Sequence, residues 1–246
     1  MTGQRADAVT AAERALPSRR EADARSAAQE TRSAQAYAEL KRRVLDNEFP
    51  PGTFFLEQEL ADLLDMSRTP IREALVRLAN EGFVEIRPRH GMRVLPISAA
   101  DMREIYVILT ALEPEVAAEV AARGMSPEEI AALRQAVHDM EGALERDDLL
   151  GWARADERFH RLLVSASGNR RLQAVIFQFW EQAHRVRMLT LRLRPKPVKS
   201  TREHLDLVNA IEERSPDLAR EIHRTHRETA AVLLASLLEA HGLTNL

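Results

Sequence analysis

Cysteine is absent from this chain of 246 residues, and its absence removes several chemistries at once. The protein has no disulfide, no catalytic thiolate and no zinc site built on sulfur, as is common for proteins of a reducing compartment. Aromatic residues make up only 4% of the chain, and there are 9 glycines. This composition disfavours β-sandwiches and glycine-loop nucleotide enzymes, so we expect a mainly helical, cytoplasmic protein.

Long apolar runs are also missing. No run approaches the ~20 residues that a membrane span requires, and the opening segment MTGQRADAVT lacks the apolar region of a secretory signal. Residues 1–32 combine Arg, Glu and Ala with hardly any large apolar side chain. We interpret them as a flexible N-terminal extension, and we expect no membrane partner.

Charge of one sign does not dominate either, since the formal net charge is −3. Any binding of nucleic acid must therefore come from a local patch. Residues 67–93 hold six arginines and three glutamates, whereas residues 33–66 hold three basic and seven acidic residues. The contrast predicts a basic surface on the later part of this region.

Residues 33–96 show the order helix, helix, turn, helix, hairpin. A first helix ends before the segment PPG, a second covers about 57–64, and a third begins near Ser67 or Thr69, with Pro70 in its first turn. Gly82 ends the third helix, and two short strands over 83–87 and 92–96 enclose the turn PRHG. This is the order of a winged helix-turn-helix domain, whose third helix enters the major groove of DNA.

Two arginines of the third helix, Arg68 and Arg72, lie one helical turn apart and share a face. A guanidinium group pairs with guanine or bridges phosphates, and the hydroxyls of Ser67 and Thr69 can donate to phosphate. A solvated helix face would explain each arginine singly but not their placement. We therefore predict that this helix binds double-stranded operator DNA.

The segment PPGTFFLEQELADLLDMSRTPIREALVRLANEGFVEIRPRHGMRV resembles the DNA-binding domain of the GntR superfamily. Many members carry an arginine where this chain has Gln58, so we expect one base contact to differ. The resemblance implies DNA contacts from the third helix and from the tip of the wing, by Ser67, Arg68, Thr69, Arg72, Arg77, His90 and Gly91.

Residues 98–240 show helical periodicity throughout, interrupted only by short breaks. The pattern predicts six or seven helices packed as an antiparallel bundle. We place these helices at about 98–123, 126–146, 149–166, 170–193, 200–213 and 216–240. The expected fold is thus mainly α, with an N-terminal winged helix-turn-helix domain over 33–96 and a C-terminal all-helical domain over 98–240.

Polar side chains interrupt the apolar faces of three of these helices. Asp156 and His160 lie four residues apart on one face, and His204 and His226 lie on the apolar faces of two later helices. A lone inward histidine is usually a satisfied core residue, but three of them with a carboxylate would be costly to bury unpaired. Such ligands suit a divalent transition metal, zinc before nickel, manganese or iron.

This second half resembles the FCD ligand-binding domain of the FadR branch of the same superfamily, through the segments DERFHRLLVSASGN and EHLDLVNAI. The resemblance implies a metal held by Asp156, His160, His204 and His226, and a small carboxylate effector at its open positions. Leu109 stands where members commonly carry the arginine that grips the effector. The residues considered for effector contact are accordingly Leu109, Asn169, Arg158 and Arg185, with Arg187 and Arg192 as further arginines that could compensate.

Together these patterns predict a homodimeric regulator that binds a palindromic operator, as a repressor or less often as an activator, and responds to a metabolite. Two alternatives stay open: the metal could be purely structural with no effector, or the bundle could be a metallohydrolase, since a bound metal activates water. Glu157 and Glu203 point about 100° away from the neighbouring ligands, so neither is a suitable base, and we expect no enzyme activity. The other histidines are interpreted as surface or packing residues, namely His138, His184, His223 and His241.

Overall fold

The computed structural model describes residues 19–87 and 91–241. Its first six elements are α1 Arg19–Leu45, β1 Phe54–Phe55, α2 Glu57–Leu64, α3 Arg68–Asn80, β2 Val84–Arg87 and β3 Gly91–Val94. Six helices follow: α4 Ala99–Arg123, α5 Pro127–Glu145, α6 Leu149–Ala166, α7 Arg170–Leu189, α8 Val198–Glu212 and α9 Pro216–Ala240. The mainly helical fold agrees with the sequence prediction.

The elements up to β3 form the winged domain around one apolar core. Helix α1 packs against α3, and the core includes Leu40, Ile71 and Phe83, all fully buried. The strands form an antiparallel sheet in the order β1-β3-β2, with Val84 opposite Val94. Strand β1 was not expected, because two residues are too few to show the alternation that marks a strand.

Helix α1 begins at Arg19, well before the start near residue 33 that the sequence predicts. Residues 29–32 lie exposed on this helix, and Gln29 donates from Nε2 to Oε1 of Glu73 in α3 at 2.9 Å. Alanine, arginine and glutamate favour a helix even where no apolar stripe is present. Because the sequence prediction depends on such a stripe, it interprets this segment as a flexible extension. Residues 1–18 of that expected extension lie outside the described residues.

Helices α4 to α9 surround a second apolar core, in which α4 packs along α9 and α5 packs along α6. Ser98 and Ser126 accept hydrogen bonds from the third residues of α4 and α5 and begin those helices as capping boxes. Helix α7 ends at Leu189, a turn earlier than expected. In the described part of the chain, no helix combines the length and the apolar character that a bilayer span requires.

The winged domain and the bundle meet along α7. Nζ of Lys41 in α1 lies 2.7 Å from Oε2 of Glu181. One residue further along, Nε2 of Gln182 donates to the backbone carbonyl of Glu81 at 2.9 Å. One turn later, Nη2 of Arg185 donates to a backbone carbonyl just after β3 at 2.9 Å. A single helix of the bundle thus carries polar contacts to three parts of the winged domain.

Candidate functional site

The N-terminal end of α3 presents the two arginines that were predicted to contact DNA. The side chains of Arg68 and Arg72 are 58% and 64% exposed. Nη2 of each donates to the carboxylate of Glu57 in α2 at 2.9 Å. The hydrogen bond from Arg72 lowers the pKa of Glu57 below its ordinary value, so this carboxylate stays ionised. Glu57 therefore holds both guanidinium groups side by side on one exposed face.

Three further candidates on or next to α3 have different surroundings. Ser67 is the N-cap residue, with extended backbone but no side-chain cap hydrogen bond, and both Ser67 and Thr69 are exposed beside the arginine pair. The guanidinium of Arg77 stacks over the ring of Tyr37 in α1, 3.7 Å from its centroid. Arg77 thus helps to hold α1 against α3, whereas Ser67 and Thr69 are free to face a ligand.

Gly91 begins β3 and has a role in the sheet itself. Its φ is +74°, and a Cβ at this position would lie 2.0 Å from the backbone oxygen of Phe55. Only glycine allows this approach of β1 to β3, so Gly91 is buried against the neighbouring strand. His90, the other residue predicted at the wing tip, lies outside the described residues.

The bundle brings the four predicted metal ligands together. Asp156 and His160 in α6, His204 in α8 and His226 in α9 are all buried. One nitrogen from each histidine lies within 4.8 Å of the other two, and Nε2 of His160 is 3.1 Å from Nε2 of His204. Oδ1 of Asp156 lies 3.5 Å from the same nitrogen of His204. Their side chains converge on one point between three helices.

Hydrogen bonds on the far sides of two rings fix their orientation. Nδ1 of His204 lies 2.7 Å from the backbone oxygen of Ser200, and Nδ1 of His226 lies 2.9 Å from Oε2 of Glu203. Such outer partners leave Nε2 directed inward, as metal-binding histidines require. Burial is the main cause that lowers the pKa of all three clustered histidines well below the ordinary value. They are therefore neutral at pH 7, the form that binds metal.

A second set of buried charges lies directly against this cluster. Glu113 in α4 accepts from Nε of Arg227 at 3.0 Å and faces Nε2 of His223 at 3.0 Å. Burial alone would raise the pKa of Glu113, but the charge of Arg227 and the His223 hydrogen bond lower it to about 2. The sequence prediction missed Glu113 and Arg227 and assigned His223 to packing. The sequence did contain a signal for this pair, because Glu113 and Arg227 are charged residues on apolar helix faces. A buried charge requires a partner, so each of them predicts the other.

Arg227 also determines the hydrogen bonding of His160. Its Nη2 lies 2.9 Å from Nδ1 of His160, and a guanidinium can only donate, so Nδ1 accepts. The neutral ring then carries its proton on Nε2, directed at His204. Binding of a metal ion to that nitrogen displaces the proton, so it competes with the Arg227 contact.

The chemistry of the side chains shows which of these two clusters is better suited to bind a metal. Three neutral imidazoles and the free oxygen of Asp156 suit a divalent ion. Glu113, His160 and His223 also lie close enough together to hold an ion, but Arg227 already supplies a cation there. The set made of Asp156, His160, His204 and His226 is therefore the better metal site.

Arg187 in α7 adjoins this site. It is 6% exposed, and its Nη2 pairs with Oδ2 of Asp156, while Oδ1 of the same carboxylate faces the histidines. Its guanidinium lies over the ring of Trp180, 5.0 Å from the centroid. Nη1 is buried and has no hydrogen-bond partner among the described residues. Of the arginines considered for effector contact, Arg187 is thus the one that contacts a predicted metal ligand among the described residues.

The structure does not bring the other polar effector candidates to the cluster. Arg158 lies on the exposed side of α6, where it pairs with Asp139. Asn169 caps α7 by accepting from the backbone of Leu172. Arg185 belongs to the contact between α7 and the winged domain. Arg158 and Arg185 each lie two residues from a side chain of the site, which turns them to the opposite side of the helix.

Leu109 is fully buried in the apolar core of the bundle. It lies one helical turn from Glu113 on α4, so its position adjoins the buried charges. Its side chain offers only apolar contact.

Two family models and several known proteins match this chain. Residues 32–94 match the model described as bacterial regulatory proteins, gntR family, and residues 104–229 match the FCD domain. An HTH-type transcriptional regulator encoded in the TAR-I ttuE-ttuC' intergenic region of Agrobacterium vitis is 44% identical over 138 residues, which cover 55% of this chain and 81% of that protein. The HTH-type transcriptional repressor RspR of Escherichia coli K12 is 30% identical over 192 residues, which cover 78% and 84% of the two chains.

Two solved structures share the fold. Escherichia coli McbR/YncC has a TM-score of 0.73 and 21% identity, over 83% of this chain and 97% of that chain. A GntR transcriptional regulator from Rhodococcus sp. RHA1 has a TM-score of 0.69 and 22% identity, over 85% and 99% of the two chains. The arrangement of a winged domain followed by a helical bundle is therefore shared with both.

Proposed function

Since this chain belongs to the gntR family of bacterial regulatory proteins and carries an FCD domain, we propose that it is a repressor whose operator affinity is controlled by a small carboxylate bound in the helical bundle. That it is a DNA-binding transcriptional regulator follows from the family itself, whose members act on DNA rather than as enzymes. The observation that carries the proposal is the pair Arg68 and Arg72, aligned by Glu57 on an exposed helix end.

The arginine pair supplies the contact to DNA. The N-terminal end of α3 enters the major groove, where guanidinium groups donate to guanine or to flanking phosphates. In the free protein Glu57 accepts those donors, so DNA must compete with a carboxylate already in place. A base edge of the right geometry replaces both hydrogen bonds, whereas a poorly placed one leaves an arginine unpaired. Glu57 therefore favours discrimination between sequences over simple attraction to phosphate.

The histidine cluster supplies the effector site. Asp156, His160, His204 and His226 would hold a divalent ion, with zinc the best match to three imidazoles and a carboxylate. Such an ion, when bound, offers open coordination positions to the oxygens of a carboxylate. Arg187, which pairs with Asp156 beside this position, would orient that acid by donating to it.

Helix α7 links the two sites. Arg187 contacts Asp156 in the bundle, while Glu181, Gln182 and Arg185 on the same helix contact the winged domain. A ligand that moves Arg187 therefore biases the seating of the winged domain. In a homodimer with paired winged domains, this shift alters their spacing on a palindromic operator. A coupling of ~1–3 kcal/mol, typical of such linkage, changes operator occupancy several-fold.

A second candidate is a regulator with a purely structural metal and no effector, which the apolar side chain at Leu109 favours. The two candidates differ in their melting behaviour. If the bundle binds an effector, the effector raises the melting temperature of the metal-loaded protein, and chelator abolishes this increase. If the metal is purely structural, chelator lowers the melting temperature and no metabolite changes it.

The DNA interface is tested by Arg72→Ala. The variant loses a base or phosphate contact, so we expect its affinity for an operator selected from random DNA to fall about tenfold or more. Arg154→Ala, which removes an exposed arginine of the bundle, is the matched control and keeps wild-type affinity. Footprints of a folded Arg72→Ala variant that match those of the wild type would place the DNA interface elsewhere.

A further inference from the structure

Arg187 carries a charge in the bundle interior that its protein contacts satisfy only in part. A guanidinium group remains protonated in proteins, so Arg187 is a cation at pH 7. One side of the guanidinium pairs with Asp156, and the buried Nη1 has no hydrogen-bond partner among the described residues. Buried donors are normally paired, so this one is available to an anion.

Arg194, in the loop between α7 and α8, adds a second such group. Its guanidinium lies over the ring of Trp152, 4.8 Å from the centroid, and Trp152 is one turn before Asp156 on α6. Nε and Nη2 of Arg194 are buried and also lack a partner within residues 19–87 and 91–241. Two arginines with unsatisfied donors thus flank the same stretch of α6.

Arg187 and Arg194 both lie against one turn of α6, the first at Asp156 and the second at the ring of Trp152. Helix α6 packs against α4, the helix on which Leu109 lies. The positive charge that α4 lacks at Leu109 therefore enters the bundle interior from α7 and from the loop that follows it.

The balance of charges in the bundle interior points to the class of ligand. Asp156, Glu113 and the half-buried Glu203 carry three negative charges, and Arg187, Arg194 and Arg227 carry three positive charges, so these side chains balance one another. Histidines that bind a metal are neutral. A divalent ion at the histidines would add two more positive charges. Uncompensated buried charge is costly, and an acid with two or three carboxylates compensates it far better than a monocarboxylate or a neutral ligand.

We propose that Arg187 and Arg194 form the anion-binding half of the effector site, in place of an arginine at Leu109, and that they select a di- or tricarboxylate. The inference rests on the proposed effector function of the bundle and names the chemistry of that site. The apolar side chain of Leu109, taken alone, would favour a less acidic effector. Asp156 lies between Arg187 and the histidines, so an acid beside Arg187 also lies beside the metal ligands.

The test uses the metal-loaded full chain and a series of acids: tricarballylate with three carboxylates, succinate with two, acetate with one, and ribose as the neutral member. Tricarballylate lacks the hydroxyl that makes citrate a strong chelator, so it leaves the metal in place. We expect calorimetry and thermal melting to show tricarballylate or succinate binding to the wild type at least tenfold more tightly than acetate. No binding of ribose is expected.

Variants assign that binding to the two arginines. Arg194→Gln and Arg187→Gln should each weaken binding of the preferred acid about tenfold or more, while Arg192→Gln, an exposed arginine of the same loop, keeps wild-type affinity. Metal content and melting without acid show whether each variant is folded, and Arg187→Lys replaces Arg187→Gln if the latter is not. Equal binding by all variants, preference for acetate, or no binding of any acid to the wild type overturns the inference.

Failure of this inference is distinct from failure of the proposed function. If a monocarboxylate or a neutral metabolite changes the operator affinity of the wild type, the bundle is still the effector domain and only the chemistry assigned to Arg187 and Arg194 is wrong. If no metabolite alters operator affinity although Arg72→Ala lowers it as expected, DNA binding stands and the effector function falls.

Discussion

Glu57 illustrates how one carboxylate can determine the behaviour of a DNA-binding surface. It is mostly buried at the base of α2, and it accepts hydrogen bonds from both Arg68 and Arg72. The two guanidinium groups are thereby oriented before DNA arrives, which lowers the entropy cost of contact. Their charge is also partly offset, which weakens attraction to phosphates of any sequence.

Replacement of Glu57 by Gln should therefore raise affinity for DNA of unrelated sequence and reduce the preference for the operator. We expect the ratio of the two affinities to fall several-fold, because charge repulsion between the arginines is no longer offset and their orientation is lost. Titrations of operator and scrambled DNA at several salt concentrations measure both terms. Asp62→Asn, the same charge change on the same helix, is the control. An unchanged ratio in the Glu57→Gln variant would show that the carboxylate has no part in discrimination.

At the metal site, His204→Ala should lower metal content and thermal stability together. The imidazole is one of the converging ligands, and a metal that binds the folded state stabilises it. Elemental analysis and thermal melting should show loss of most of the metal and a melting temperature lower by several degrees. His138→Ala, which removes an exposed histidine of α5, should change neither quantity. Full metal occupancy in His204→Ala would rule out this cluster.

The residue scale also shows what a single sequence can and cannot provide. The inward positions of Asp156, His160, His204 and His226 follow from helical periodicity, because each lies on an apolar face. Periodicity does not show which residues of distant helices meet. The partners of Glu113 are 110 and 114 residues away in the chain, so that set emerges only once α4 and α9 are packed together.

At the scale of elements, α7 is the part of the bundle with contacts in both directions. Glu181 and Gln182 face the winged domain, and Arg187 faces the charged interior. Helices are stiff over a few turns, so a displacement at one of these positions is transmitted to the others. We expect the effector response to depend on the side chains of α7 that contact neither DNA nor ligand.

The double variant Glu181→Gln with Gln182→Ala should separate binding from response. Operator affinity without ligand, metal content and binding of tricarballylate should stay close to wild type, because these residues contact none of them. The change in operator affinity that the acid causes should shrink, since two of the contacts between the domains are lost. Gln173→Ala, near the other end of α7, is the control. A full response in the double variant would place the coupling on another element.

The accuracy with which each helix or strand could be predicted depends on how clearly the sequence marks its ends. Helices α4 and α5 were placed to within a residue because a serine followed by an acidic residue marks each start. The sequence places the start of helix α1 too late, because residues 19–32 have no apolar stripe. Strand β1 is only two residues long and is held by the close approach at Gly91, a tertiary contact that no local pattern shows.

At the scale of the whole molecule, the described residues form two separate apolar cores, one in each domain. The proposed metal site lies in the second core, and the arginines proposed to bind DNA lie outside the first. Among the described residues, polar contacts along α7 connect the two domains. The stability of one domain should therefore respond only weakly to ligands of the other.

Removal of the metal should show this independence directly. With chelator, we expect hydrogen exchange to accelerate in α6, α8 and α9, whose histidines would lose their shared ligand, and to change little in α1 and α3. The same experiment on His138→Ala gives the background, since that residue is remote from the cluster. Equal acceleration in both domains would mean that the chain unfolds as one cooperative unit.

The polar contacts between α7 and the winged domain also have a consequence for building new sensors from this protein. Glu181, Gln182 and Arg185 engage the side chains of Lys41 and Asn47 and the carbonyls at Glu81 and Leu95. Two of these four groups of the winged domain are backbone atoms, which every sequence provides. A winged domain with a different operator can therefore be joined to this bundle after Pro96 if it keeps a lysine at the position of Lys41 and an asparagine at the position of Asn47. Such hybrids would report one metabolite through many promoters, each chosen by its own recognition helix.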